Sequence, residues 1–439
     1  MKHLSAFIVR NVTLATVMML AAVFCPEVVA QERVVFPFGT LASTAPPFGS
    51  PVADGKGDLF TAANAYCPSG TSSSPCFSLN MLIPPTVAGG QWGVLQPVSG
   101  TRPGTVNAGL VRDSRGNLYG TATGGTNNTG YVFQIVPVGD PVYNDWTFNV
   151  IYNFAAANDA AAPTSSLVTD GAGNLYGASY HNSSGNGTVF QLKPPATKGG
   201  AWTESVLYTF NSPTGVILDS HGNLFGMTLG GGANGNGLVF ELNPPSTSGG
   251  SWSEQTLYSF PAEDAAAKSA RHTAVHGSVP PPKGQNFPYE NTLAMDTAGN
   301  LYGTQTFGGT AGNGYVFQLT PGITWNFSAL YSFSGSPDGA NPAGGVTVGT
   351  GGVLYGTTFY GGPQTTYGGN LGTVFQLTPP KTSGAPWTEK ILRNFTGGFD
   401  GMNSASSVIV NARGIFGETT GGGGTTGQGG YGVVFQIVP

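Results

Sequence analysis

Charge is scarce in this sequence: 8% of its 439 residues are Asp, Glu, Lys or Arg, for a net charge of −5. No segment gathers Lys and Arg, so the phosphate-neutralising footprint of a nucleic-acid binder is missing. Beyond the first thirty residues no apolar run approaches the ~20 residues of a membrane-spanning helix. Cysteine is nearly absent, with three in the chain. Glycine is the opposite case. Its 70 residues suit turn-rich β structure and not helices.

Met1-Lys2-His3 and Arg10 make a short basic start, Val12 to Phe24 is mostly apolar, and Val28-Val29-Ala30 offers small residues before a cut. The pattern predicts a secretory signal peptide over residues 1–30, cleaved after Ala30, hence a secreted or periplasmic protein with no membrane span after cleavage. The bulk of Phe24 argues against a lipidated Cys25. Cys67 and Cys76 remain, and an even pair in an exported chain is expected to form a disulfide.

Repetition fills the rest. Aligned on the aromatic that follows Asn-Leu, copies fall at Phe60, Tyr119, Tyr176, Phe225, Tyr302, Tyr355 and Phe416, from 49 residues apart (Tyr176 to Phe225) to 77 (Phe225 to Tyr302). Each is followed by a Gly-rich gap and a Val-Phe-Gln-Leu-like phrase: Cys76 to Leu79, Val132 to Ile135, Val189 to Leu192, Val239 to Leu242, Val316 to Leu319, Val374 to Leu377 and Val434 to Ile437. A third phrase, clearest from Trp202 to Phe210, recurs from Trp252, Trp325 and Trp387 and more loosely from Trp92 and Trp146. A fourth precedes the aromatic, as in Ser166 to Asp170. Four short β-prone runs in about 50–60 residues make a β-propeller blade.

Six tryptophans serve seven copies, and the last copy lacks its Trp-led strand. Glu32 to Phe38 matches Glu204 to Phe210 and can supply it. The expected fold is all-β: a seven-bladed propeller over residues 31–439, of four-stranded antiparallel blades, its ring closed by the N-terminal strand completing the last blade. The long spacing carries an insertion at about 261–286, rich in Ala, Pro and Lys, expected to be a flexible surface loop.

These phrases resemble the GloVer tandem repeat of exported bacterial proteins, over essentially all of residues 31–439. The resemblance implies export and a tandem β-repeat, and brings no catalytic residues with it.

Asp54, Asp113, Asp170, Asp219 and Asp296 precede the Gly-Asn turns, with Gly349 and Asn411 in that slot in the last two copies. One carboxylate per blade cannot supply the six to eight oxygens of a calcium site, so Asx-turns are expected. His272 and His276 stand four apart in the insertion, without a further ligand. No metal, cofactor or catalytic set emerges. The repeated tyrosines are expected to be buried between blades. The connections that follow fourth strands share one rim with the Gly-rich gaps. Asp338, Asn341, Asp400 and Asn403 fall there, as do the loop tyrosines Tyr180, Tyr360 and Tyr367. These are the candidate ligand contacts of a monomeric, non-enzymatic propeller that binds an extracellular glycan or protein. The alternatives are a glycan-active hydrolase or lyase that uses rim carboxylates, and a purely structural envelope or matrix module.

Overall fold

The computed structural model describes residues 31–38, 49–66, 75–87, 90–96, 102–106, 108–126, 128–138, 146–155, 160–163, 165–181, 186–247, 249–262, 292–365, 369–423 and 430–438. Its strands form seven four-stranded antiparallel blades. Blade 2 shows the pattern, running from the axis outward as Val111–Arg112, Leu118–Ala122, Tyr131–Pro137 and Trp146–Asn153. Blade 7 takes Ile409–Asn411, Gly414–Glu418 and Val433–Val438 from the chain's end, and its outer strand is Gln31–Pro37. The register runs from Gln31 opposite Val438 to Pro37 opposite Val433, with a bulge between Val34 and Phe36. The corresponding outer strands of blades 2 to 6 carry a bulge at the same place, as between Val189 and Phe190 in blade 3. The N-terminal strand is therefore a true copy of the repeat's fourth strand.

The sequence repeats because each blade must fill two faces. In six blades the second-strand Gly lies opposite the third-strand Phe: Gly120 and Phe133, Gly177 and Phe190, Gly226 and Phe240, Gly303 and Phe317, Gly356 and Phe375, Gly417 and Phe435. The ring occupies the space that a side chain would need. A Cβ on Gly303 would stand 2.5 Å from the Phe317 ring. That Phe, with the flanking Leu, faces the preceding blade. The aromatic after Asn-Leu and the Val of Val-Phe-Gln-Leu face the following one, because side chains alternate along a strand.

Seven buried apolar clusters result, one at each junction. Tyr176, Val189 and Phe210 of blade 3, for example, meet Leu224, Phe240 and Leu242 of blade 4. The junction between the ends of the chain is filled in the same way, by Val35, Phe36, Phe38, Phe416 and Val434 against Leu59, Leu82 and Trp92. Tryptophans reinforce the junctions from outside. Trp146, Trp202, Trp252, Trp325 and Trp92 pack on Phe60, Tyr119, Tyr176, Phe225 and Phe416 of the preceding blades at centroid distances of 5.6, 6.2, 6.3, 6.1 and 5.8 Å. Burying such rings contributes on the order of 2 kcal/mol each.

Small residues line the axis. Ser50 Oγ donates to the Ser407 carbonyl at 2.9 Å, and Gly109 N–H donates to Ser166 Oγ at 2.9 Å. A Cβ on Gly215 would touch Thr292 and Ser165, and one on Gly345 would fall 2.4 Å from the Thr292 carbonyl. The innermost segments thus touch their neighbours around the ring.

Blade 1 corrects one expectation. Its second and third strands, Leu59–Tyr66 and Pro75–Ile83, are longer than those of the other blades. Their register sets Phe60 opposite Met81, Thr61 opposite Asn80 and Ala62 opposite Leu79. Leu79-Asn80-Met81-Leu82, not Cys76 to Leu79, therefore fills the Val-Phe-Gln-Leu slot, and Cys76 lies three residues earlier, opposite Ala65. In place of Gly and Phe, blade 1 pairs Thr61 with Asn80. Cys67, the two histidines and most of the insertion (263–286) lie outside the described residues.

Candidate functional site

The hairpin aspartates are structural. Asp113 Oδ1 accepts the backbone N–H groups of Arg115 and Asn117, both at 2.9 Å, and Oδ2 accepts Asn117 Nδ2 at 2.7 Å and Tyr119 Oη at 3.1 Å. Gln134 Nε2 then donates to Tyr119 Oη at 3.0 Å. Asp170 with Asn174, Tyr176 and Gln191 repeats this network, as does Asp296 with Asn300, Tyr302 and Gln318. The Tyr and the Gln of the two repeated phrases are thus linked through the turn. Burial, with the Asp170 carboxylate behind it, pushes the Tyr176 phenol up to about 12, and burial against Asp296 does the same for Tyr302. Both phenols remain donors. Where the aromatic is Phe225 no hydroxyl exists, and the Gln slot holds Glu241, whose carboxyl burial raises.

The opposite rim holds the sequence-derived candidates. Asp338 and Asp400 occupy equivalent places in the connections into blades 6 and 7, and each organises its own turn. Asp338 Oδ2 accepts Ser334 N–H at 2.8 Å, Ser334 Oγ at 3.0 Å and Tyr331 Oη at 3.2 Å, while Oδ1 accepts Gly339 N–H at 2.6 Å. Asp400 accepts Thr396 N–H at 2.9 Å and Thr396 Oγ1 at 2.5 Å, and pairs with Arg393 at 2.7 Å.

Asn341 and Asn403 are likewise equivalent, both left-handed with φ of 55° and 56°. Asn is one of the residues that tolerates this conformation. Asn341 Nδ2 donates to the Thr306 carbonyl at 2.9 Å, and the Asn341 carbonyl accepts Phe359 N–H at 3.0 Å. Asn403 Nδ2 donates to the Phe359 carbonyl at 2.8 Å, and its carbonyl accepts Thr420 N–H at 3.3 Å. Each Asn stitches the Gly-rich loop of one blade to that of the next, so the rims of blades 5, 6 and 7 are continuous.

Tyr360 is half-buried, packs edge-on against Phe359 at 4.8 Å, and belongs to a two-residue strand, Tyr360–Gly361, paired with Gly339–Ala340. Burial raises its phenol. Tyr180 lies in the strand Leu175–His181 and not in a loop. Tyr367 is outside the described residues.

Sequence reasoning passed over two features. Phe399 is 66% exposed in the Gly397-Gly398-Phe399-Asp400 turn. That turn is tied to the Gly-rich loop of blade 7 by Gly423 N–H to the Gly398 carbonyl at 2.7 Å. The same loop carries Tyr431, 38% exposed. The only available signal was a lone aromatic among glycines. The second feature is Glu389, which faces the outer strand of blade 5. Burial and the charge of Asp338 push its carboxyl up to about 7. Among the described residues no three His, Cys, Asp or Glu side chains form a metal-holding group, and no helix is long and apolar enough to cross a membrane.

Solved structures that this chain matches include a putative gluconolactonase (14% identity, TM-score 0.36, 75% of this chain and 89% of that one). Others are a protein of unknown function from Dyadobacter fermentans (12%, 0.41, 93% and 99%) and a glucose dehydrogenase (12%, 0.39, 80% and 100%). No curated protein matches the sequence. The Gloeobacter/Verrucomicrobia repeat model matches residues 49–280 and 284–439, and the chain belongs to that repeat family.

Proposed function

We propose that this protein is an exported, non-enzymatic, monomeric propeller that binds an extracellular ligand, a glycan in the first instance and a protein in the second, on the rim formed by blades 5 to 7. One observation carries the reading. Phe399 and Tyr431 stand exposed on neighbouring Gly-rich loops, where Asp400 is buried against Arg393, a surface suited to stacking on sugar rings. Residues 1–30 act as the export signal. In the oxidising compartment Cys67 closes on Cys76, which is buried at the edge of the repeat's register. Asp338, Asn341, Asp400 and Asn403 frame the rim, and Tyr360 extends its aromatic surface. Glycan-array binding of the mature chain should fall at least tenfold in Phe399→Ala while its melting temperature stays unchanged. Absence of wild-type binding to any glycan or envelope fraction would leave the structural-module reading standing.

The pairing of Asp338 with Glu389 favours a second reading, a glycan-active hydrolase. A carboxyl that burial and a neighbouring Asp charge hold up at about 7 is the pattern of a general acid. Turnover of any glycan that disappears in both Asp338→Asn and Glu389→Gln would replace the binding reading with this one.

A further inference from the structure

The junction of blade 7 with blade 1 is the seam of the ring, and it departs from the repeat in its core and in its hairpin. In the core Glu418 takes the slot of Thr121, Thr304 and Thr357, the residue after the second-strand Gly, and accepts a hydrogen bond from Thr61 Oγ1. In the hairpin that opens blade 1 the turn has lost its donors. In blades 2 to 5 an Asn serves the Asp of the turn: Asn117 Nδ2 donates to Asp113 Oδ2 at 2.7 Å, Asn174 to Asp170 at 2.7 Å, Asn223 to Asp219 at 3.0 Å and Asn300 to Asp296 at 2.8 Å. In blades 2, 3 and 5 a Tyr hydroxyl donates to the same oxygen. Blade 1 keeps the turn. Asp54 Oδ1 accepts the backbone N–H groups of Lys56 at 2.8 Å and Asp58 at 3.0 Å, as Asp113 does those of Arg115 and Asn117. Asp58, however, stands in the place of the Asn, and Phe60 in the place of the Tyr. Asp58 is 7% exposed.

An Asp carboxyl has the shape of an Asn amide, but once ionised it has no proton to donate. Two ionised carboxylates in contact repel. The bond that Asn makes in blades 2 to 5 is therefore made here only by a carboxyl that holds a proton. The side chains of Asp58 and Asp54 are hydrogen-bonded to one another, and burial, followed by the charge of Asp54, raises the Asp58 carboxyl. Lys56 on the same turn and Arg413 from blade 7 pull it the other way. Arg413 lies across the turn, since a Cβ on Gly57 would fall 2.7 Å from its Nε. The turn of blade 1 and the last blade thus meet at this pair. We propose that Asp54 and Asp58 form a pH-dependent clasp on the seam of the ring. With a proton on Asp58 the turn is closed like its counterparts, and Arg413 of blade 7 rests on it. Loss of that proton sets two carboxylates against each other and loosens the turn beneath Arg413. A group whose value is raised by folding stabilises fully below its unfolded value, and the contribution is lost as pH rises through the folded value. Acid therefore tightens the closure and rising pH slackens it.

The test compares the mature chain with Asp58→Asn, melted from about pH 3 to 8. Asn occupies this place in blades 2 to 5, so the variant should fold. Glu389 is common to both chains, and its titration cancels in the difference. The variant's advantage over the wild type should grow as pH rises, by on the order of 2 °C in melting temperature. Hydrogen exchange of the Val433–Val438 amides, corrected for its intrinsic pH dependence, should quicken over the same interval in the wild type and not in Asp58→Asn. That readout reports the seam and not the turn alone. Asn223→Asp, beside Phe225, rebuilds the pair at an ordinary junction; it should acquire the fall in melting temperature and leave Val433–Val438 unchanged. A difference between wild type and Asp58→Asn that stays constant with pH overturns the proposal, as does exchange at Val433–Val438 that is the same in both chains.

Discussion

Six blade junctions close with a Phe ring laid over a glycine, whereas the seventh, apolar like the others around it, has Thr61 and Asn80 in that place, with Glu418 bonded to Thr61. The six join neighbours in sequence. The seventh joins residues some four hundred positions apart and depends on a strand donated from the other end of the chain. Loop-closure entropy penalises this last contact somewhat more than the others, by about 0.6 kcal/mol for each doubling of the loop. The difference separates two tasks: the repeated interface supplies cohesion, and the odd one supplies a defined place to close. Buried polar groups fit badly with anything but their partners, which is one way to fix a register, as a lone buried Asn does in coiled coils.

The largest effect should come from deleting residues 31–38. Blade 7 would lose its outer strand, and Val433–Val438 would become a bare edge. Loss of the cooperative thermal transition and soluble aggregation in size-exclusion chromatography are expected. A chain that melts within a few degrees of the wild type would remove the special standing of the seam. Next come exchanges of the two interface types. Phe317→Asn at an ordinary junction should cost about 3–5 kcal/mol in urea denaturation. Asn80→Phe, which forces a ring against Glu418, should also destabilise. The triple change Thr61→Gly, Asn80→Phe, Glu418→Thr converts the seam to the common type and should recover most of that loss.

Smaller and dependent on pH is the effect of Glu389. Its folded carboxyl keeps a proton to about 7, above the ordinary Glu range, so folded chains bind the proton more tightly than unfolded ones. That contribution is present below the unfolded value and is lost as pH rises through about 7. Glu389→Gln should flatten this decline and be the more stable protein at pH 8, as read from melting temperature between pH 4 and 8. Smallest is Tyr302→Phe, which removes the link between Gln318 and Asp296 at a cost of about 1 kcal/mol and makes blade 5 resemble blade 4, where Phe225 stands naturally.

The fold was legible because it is written seven times. The period-two runs, the Asp-led turns and the match between Glu32 to Phe38 and Glu204 to Phe210 all point to one ring. Blade 1 misleads because Phe77 and Leu79 imitate Val-Phe-Gln-Leu, while the residues truly in the slot, Leu79 to Leu82, lack both the Phe and the Gln. Only the strand pairing reveals that Asn80 stands where a Phe belongs. The rim was legible as a place and less so as chemistry. Asp-Gly and Asn read equally well as turn and as ligand contact. Asn341 and Asn403 are held by the Gly-rich loops of neighbouring blades, far off in sequence, whereas the carboxylates of Asp338 and Asp400 are occupied within their own turns. Phe399 carries no pattern at all, since a single exposed ring is defined by what fails to cover it.

The exchanged strand also imposes an order in time. Among the described strands Gln31–Pro37 is the first to be made, and its partner Val433–Val438 is the last. At about 5–20 residues per second, a growing chain carries that strand unpaired for tens of seconds, while blades 1 to 6 can stack in sequence behind it. The ring therefore cannot lock during synthesis. A chain built this way keeps its ring openable until its last strand has been made.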